Sequence, residues 1–274
     1  LGKDPNAEDM PLWIAPDKKV DLPKMEACMR DHYEGTPLSL DKDIAQGIWD
    51  SPYRPTPLKF EVDGKQYFNE RPISTQQTGF SYIAQLRSWL PREIGGILWF
   101  GNDDGNMVAY VPIYCSNTER AECFNTPGAD AVTFSDKNAF WVCNWVSNMV
   151  YPRYSQLFPA LKEVRDSLDN AFLAAQKGVE AKAEALYATD KAAAVKYLND
   201  YSIQKSNEMI ARWRELAIHL IVKFNDMTVK PEKDGKFLRT STGLGERVKR
   251  TGYSDYFKRE LVKQTGDKFA VPNK

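Results

Sequence analysis

Past about Phe140 the apolar residues of this chain recur at the helical period, and before it they do not. Leu157, Leu161, Val164, Leu168 and Phe172 fall on one helical stripe, and Ile210, Trp213, Ala217, Leu220 and Phe224 on a second. Residues three and four apart share a helix face, so each stripe demands an apolar partner along its length. Between the stripes, Ala181–Tyr197 is rich in Ala, Lys and Glu and is a strong helix former by propensity. The pattern predicts two or three antiparallel helices closing the chain, then a polar tail carrying Pro231 and Pro272.

The earlier residues follow other rules. Residues 1–57 are loop-rich and punctuated by prolines from Pro5 to Pro57. One short helix is predicted from near Leu22 to about Tyr33, with Pro23 in its first turn and Gly35 just past its end. Leu58–Val62 alternates apolar and polar, Asp63-Gly64 supplies a strong two-residue turn, and Lys65–Phe68 returns. A second hairpin is predicted from Gly96–Phe100, a turn at Asn102–Asn106, and Met107–Tyr114. Phe80–Trp89 is compatible with a strand or a short helix. Six of the seven tryptophans precede residue 150, which assigns the large rings to the sheet region. The fold class is therefore α+β, with residues 1–150 sheet-rich and residues 151–274 a helical extension.

Composition excludes several classes. The chain is 42% hydrophobic and 27% charged, as folded proteins are. It holds no apolar run of roughly 18 residues, the length a membrane-spanning helix needs. The 37 basic and 37 acidic residues are unevenly placed: 14 Lys/Arg face 21 Asp/Glu in residues 1–150, and 23 face 16 beyond. The basic half alternates in sign, as solvated helix faces do, and shows no cluster interleaved with aromatics, so no nucleic-acid partner is expected. With only His32 and His219 and no CxxC pair, a metal site has little material. Cys28, Cys115, Cys123 and Cys143 read as small buried hydrophobes, or Cys115 and Cys123 close a disulfide across their polar loop in an exported parent protein. Leu1–Met10 reads as a polar loop entered in mid-course and carries no signal-peptide pattern, so the expectation is a chain whose amino-terminal portion lies upstream.

Few motifs carry chemistry. Asn102–Asn106 looks like a calcium loop, but the Glu required six residues after the glycine is Val111, so a hairpin turn explains it. Gly243-Leu-Gly245 lacks the strand and third glycine of a phosphate cradle. Asp31–Glu34 contains a His-carboxylate pair, with His32 at the end of the predicted helix where a cation complements the dipole. His219 falls beside an apolar stripe and reads as structural. Glu70–Thr78 differs: directly after a strand it gathers hydroxyls, amides and the Arg71 guanidinium, groups suited to holding a carboxylate or polarising a carbonyl.

Met29–Pro37, Arg71–Thr78, Gln85–Leu90, Gly95–Gly101, Tyr110–Cys115 and Phe140–Trp145 resemble, in that order, the later half of the bacterial dipeptidase A/D family of cysteine peptidases. The resemblance extends over nearly the whole chain. It implies an N-terminal-nucleophile hydrolase with an αββα sandwich, in which a processed amino-terminal Cys attacks the amide and its own α-amine serves as base. It implies a dipeptide substrate and no metal or organic cofactor. All four cysteines are internal here, so the nucleophile is expected upstream, in a missing amino-terminal portion that this chain must meet. Arg71 is the residue matched to the catalytic arginine of related amidases, with Thr75 and Gln76 as substrate-binding neighbours. The competing expectation is a non-catalytic binding or structural module on the same fold.

Overall fold

The computed structural model describes residue 8, residues 11–125 and residues 128–272; apart from Glu8 and Pro272, the opening loop and the extreme tail lie outside them. Helix α1 spans Leu22–Met29, started by Asp21, whose carboxylate accepts from the Lys24 N–H at 2.9 Å. It stops four residues short of Tyr33. Arg30 leaves helical geometry, and Tyr33 sits at φ 64°, where no right-handed helix can continue.

Strands β1 (Lys59–Val62) and β2 (Lys65–Phe68) form the expected hairpin. Asp63 and Gly64, at φ 51° and 74°, both adopt the left-handed backbone that such a turn requires. The hairpin is exposed along its whole length. Strand β3 (Phe80–Leu86) settles the ambiguous segment as a strand, because it finds an antiparallel partner that an isolated stretch lacks. A single helical turn, α2 (Arg92–Gly95), leads into β4 (Gly96–Asn102), and β5 (Val111–Tyr114) completes a three-stranded sheet of order β3-β4-β5.

The two faces of this sheet differ. Register places Ile83, Trp99 and Pro112 on one face, with Gln85, Ile97 and Tyr114. That inner face is covered by helices α3 (Ala139–Val150), α4 (Tyr154–Tyr187) and α5 (Lys191–Phe224). The Tyr114 N–H donates to Ser202 Oγ on α5 at 3.2 Å, and Gln176 Nε2 on α4 donates to Gln85 Oε1 at 2.9 Å. Helices α4 and α5 have 34 residues each and would run about 51 Å at 1.5 Å per residue. They are joined by Ala188–Asp190, where the Asp190 carboxylate caps α5 through Ala193. Of the sequence stripes, Leu157, Leu161, Leu168 and Phe172 are buried, as are Ile210, Trp213, Ala217, Leu220 and Phe224; Val164 lies at the margin. One continuous core runs from Leu22 to Phe224, so the helices and the sheet share it.

The outer face is uncovered at β3: Phe80, Tyr82 and Leu86 are 60%, 53% and 75% exposed. Ile97 and Trp99, in contrast, are buried under the helices. The tail holds short strand pairs and one further helix, α6 (Asp255–Thr265), capped by Ser254 and burying none of its residues. No helix among the described residues is long and apolar enough to cross a membrane. All four cysteines are free thiols here, Cys115 exposed, Cys28 half-buried, and Cys123 and Cys143 buried.

Candidate functional site

At the end of the sheet where β4 finishes, the chain gathers most of its buried polar side chains. The segment Asp103–Asn106 is the hub, and it is buried throughout. The hairpin turn expected here is replaced by a 3-10 turn over Gly105–Met107, after which the chain runs three more residues before entering β5. Gly105 is required by close approach: a Cβ there would stand 2.8 Å from Tyr110 Oη and 3.0 Å from the Met29 carbonyl.

Two arginines hold the segment, Arg165 buried and Arg30 largely so. Arg30, just past α1, donates to the carbonyls of Gly105 at 3.0 Å and Val108 at 3.1 Å, and to Asp169 on α4 at 2.7 Å. Arg165, also on α4, donates to Asn106 twice, to its carbonyl at 2.7 Å and to Oδ1 at 2.8 Å. Backbone carbonyls that a strand ladder would satisfy are thus taken by guanidinium groups. Burial raises the Asp169 carboxyl and the Glu26 carboxyl beside it, the latter to about 7, against the opposing pull of the arginines.

The paired carboxylates face different partners. Asp103 accepts from Ser147 Oγ at 2.5 Å and Asn144 Nδ2 at 3.1 Å, both on α3. Burial nevertheless lifts its carboxyl to about 7, because those two bonds only partly offset desolvation. Asp104 accepts from the Ser74 hydroxyl, from Tyr151 Oη at 3.2 Å and from the Asn106 N–H at 3.1 Å. Tyr53, Tyr151 and Tyr154 pack ring against ring beside it, and burial pushes all three phenols up.

Through Ser74 this hub carries the loop over residues 71–78. Thr75 is buried and donates to Gln77 Oε1; Gln76 donates through Nε2 to the Arg54 carbonyl. Both side chains therefore fasten the loop. Arg71 is exposed, and among the described residues its guanidinium has neither a hydrogen-bond acceptor nor an ion-pair partner. Its carbonyl accepts from Tyr33 Oη at 3.0 Å, and the Ser74 N–H donates to the Asp31 carbonyl at 3.1 Å. Two hydrogen bonds thus join the loop over residues 71–78 to the turn over residues 31–36.

That turn holds the His32–Glu34 pair. His32 lies beyond the end of α1 and is fully buried against the edge of the Tyr53 ring, so a carboxylate partner, not the helix dipole, accounts for it. Its N–H donates to Glu34 Oε2 at 2.9 Å, and its Nδ1 stands 3.1 Å from Glu34 Oε1. The bond to the imidazole is the main reason the Glu34 carboxyl is held down at about 2. His219 stacks on Phe237 far along α5, apart from this site.

Sequence reasoning marked the loop with Arg71, Thr75 and Gln76; it weighed Asp31–Glu34 and Asn102–Asn106 and set both aside, and it gave Arg30 and Arg165 no role. A signal for the hub was present: five polar or glycine residues between two apolar strands exceed what a two-residue hairpin turn needs.

The sequence model of a family described as peptidase family C69 matches residues 1–167. A Streptococcus pyogenes serotype M1 protein named probable dipeptidase B is 23% identical over 219 residues, covering 80% of this chain and 41% of that protein. The chain thus spans less than half the length of that relative.

Proposed function

Because this chain belongs to peptidase family C69, we propose that it forms part of a dipeptidase, contributing the substrate-facing loop while the nucleophilic thiol comes from outside these 274 residues. The observation that carries the reading is the state of the cysteines. An N-terminal nucleophile needs a thiol and a free α-amine on one residue, and Cys28, Cys115, Cys123 and Cys143 would each need the chain cut at their own position to expose one, which for Cys28 and Cys143 lies inside helices α1 and α3. Burial also pushes the Cys123 thiol up to about 11 and the Cys143 thiol higher still, the opposite of an activated thiolate.

The outer face of the sheet supports the same reading. Phe80, Tyr82 and Leu86 form an apolar strip on an edge strand, a surface that a soluble protein covers. In an αββα sandwich the second sheet occupies that position, so the remainder of the protein is the natural cover. Arg71 then meets the substrate's carbonyl or carboxylate, with Thr75 and Gln76 holding the loop at the binding rim.

The test uses the full-length protein and the present chain side by side on a dipeptide panel. Thiol-reagent-sensitive hydrolysis is expected from the full-length protein and none from the chain alone. Arg71→Ala in the full-length protein should lower kcat/KM by about 10²-fold, the scale of removing one electrostatic donor. Robust hydrolysis by the isolated chain would sink the assignment of the nucleophile.

A further inference from the structure

The turn over residues 31–36 is built at a cost in backbone conformation that packing alone does not explain. Tyr33 adopts φ 64°, a region bulky residues avoid, and is kept there by Asp31, whose carboxylate accepts the Tyr33 N–H at 2.6 Å. The consequence is positional. Tyr33 Oη reaches the Arg71 carbonyl, and the next residue, Glu34, is left with its side chain 51% exposed. Glu34 is oriented by both the amide and the imidazole of buried His32. One oriented anion and one unengaged cation therefore emerge from two segments that are hydrogen-bonded to each other.

We propose that Glu34 and Arg71 act as a clamp for a small zwitterion, Glu34 receiving the α-ammonium of a dipeptide and Arg71 its α-carboxylate. The inference rests on the dipeptidase reading above and deepens it by naming what selects the length of the substrate. Two residues of extended chain span at most about 7 Å, so both termini of a dipeptide can be read only by groups on adjoining segments. A tripeptide adds roughly 3.5 Å and cannot satisfy both ends without bending. The guanidinium fork suits a carboxylate, and a carboxylate already positioned by His32 loses little freedom on meeting an ammonium. Tyr33 is the positioning residue that sets the spacing between them.

The experiment compares full-length protein with its Glu34→Gln, Glu34→Asp and Arg71→Ala variants, using dipeptide kinetics and two competitive inhibitors. An amino-acid amide keeps the ammonium without the carboxylate; an N-acetyl amino acid keeps the carboxylate without the ammonium. Glu34→Gln should raise the dipeptide KM and the inhibition constant of the amide by about tenfold, the scale of one charge-assisted hydrogen bond, leaving kcat within about twofold. The N-acetyl amino acid should bind Glu34→Gln unchanged, and Arg71→Ala should show the mirror pattern in the inhibitors, weakening the N-acetyl amino acid and sparing the amide. Glu34→Asp, which keeps the charge, should recover most of the loss. Equal weakening of both inhibitors by Glu34→Gln, or no weakening of either, would overturn the clamp while leaving the dipeptidase reading standing. A full-length parent that hydrolyses no dipeptide would overturn that reading and the clamp together.

Discussion

The turn at Asp63-Gly64 and the segment Asp103–Asn106 are built from the same residue types, and they end in opposite environments. The first is exposed and joins two strands in two residues. The second is buried and held by Arg30, Arg165, Ser74 and helix α3. Asp supplies left-handed backbone in both places, since Asp63 and Asp103 lie at φ 51° and 76°, and Gly64 adds a second such residue in the exposed turn only. Residue chemistry thus chooses the local bend. What surrounds the bend depends on elements that arrive from elsewhere in the chain, here α1 and α4.

The sharpest way to break this comparison is to remove one of the arginines. Arg30→Met should destabilise the protein by about 3–5 kcal/mol, because Asp169 and two carbonyls would stay buried without their donor. Urea unfolding measures it, and a loss below about 1 kcal/mol would mean that water replaces the guanidinium.

A second effect reports on the buried segment through pH. The Asp103 carboxyl is raised from 3.8 to about 7 in the folded protein. Between these values the folded state holds a proton that the unfolded state has released. The stabilisation is therefore full below about pH 4 and is lost as pH rises through about 7. Asp103→Asn mimics the protonated form and should flatten this part of the stability-pH profile, read by thermal unfolding from pH 4 to 8. Glu26 titrates in the same direction and window, so part of the slope should persist.

The smallest effect belongs to the exposed turn. Gly64→Ala places a side chain at φ 74° with open space around it, so only backbone strain is felt. About 1 kcal/mol of destabilisation is expected in urea unfolding. A loss as large as that of Arg30→Met would show that the hairpin is tied to the core after all.

The same division runs through the rest of the molecule. The α4 and α5 stripes, the first hairpin and the start of α1 at Leu22-Pro23 were legible because each is decided within a few residues. Phe80–Leu86 was not, since period alone cannot separate a strand from a short helix until β4 pairs with it. Helix α6 was missed although Tyr256, Phe257, Leu261 and Val262 stand at helical spacing, because it is short, follows a proline- and glycine-bearing polar stretch, and buries none of them fully. In the candidate site, the motif containing Arg71, Thr75 and Gln76 stood out by composition. Glu34 was noticed only beside His32, because the link between its turn and Arg71 passes through Tyr33, across 38 residues of sequence.

From sequence alone came the periods, the caps and the turn residues, which determine where this chain bends and which stretches coil. Tertiary structure decided which face of β3 stays bare, that an Asp-Gly-Asn run becomes a buried hub, and that the turn bearing Glu34 is hydrogen-bonded to the loop bearing Arg71. Local conformation depends on steric and hydrogen-bonding choices within a few residues. Burial and charge juxtaposition depend on contacts between distant segments, which no window of sequence contains.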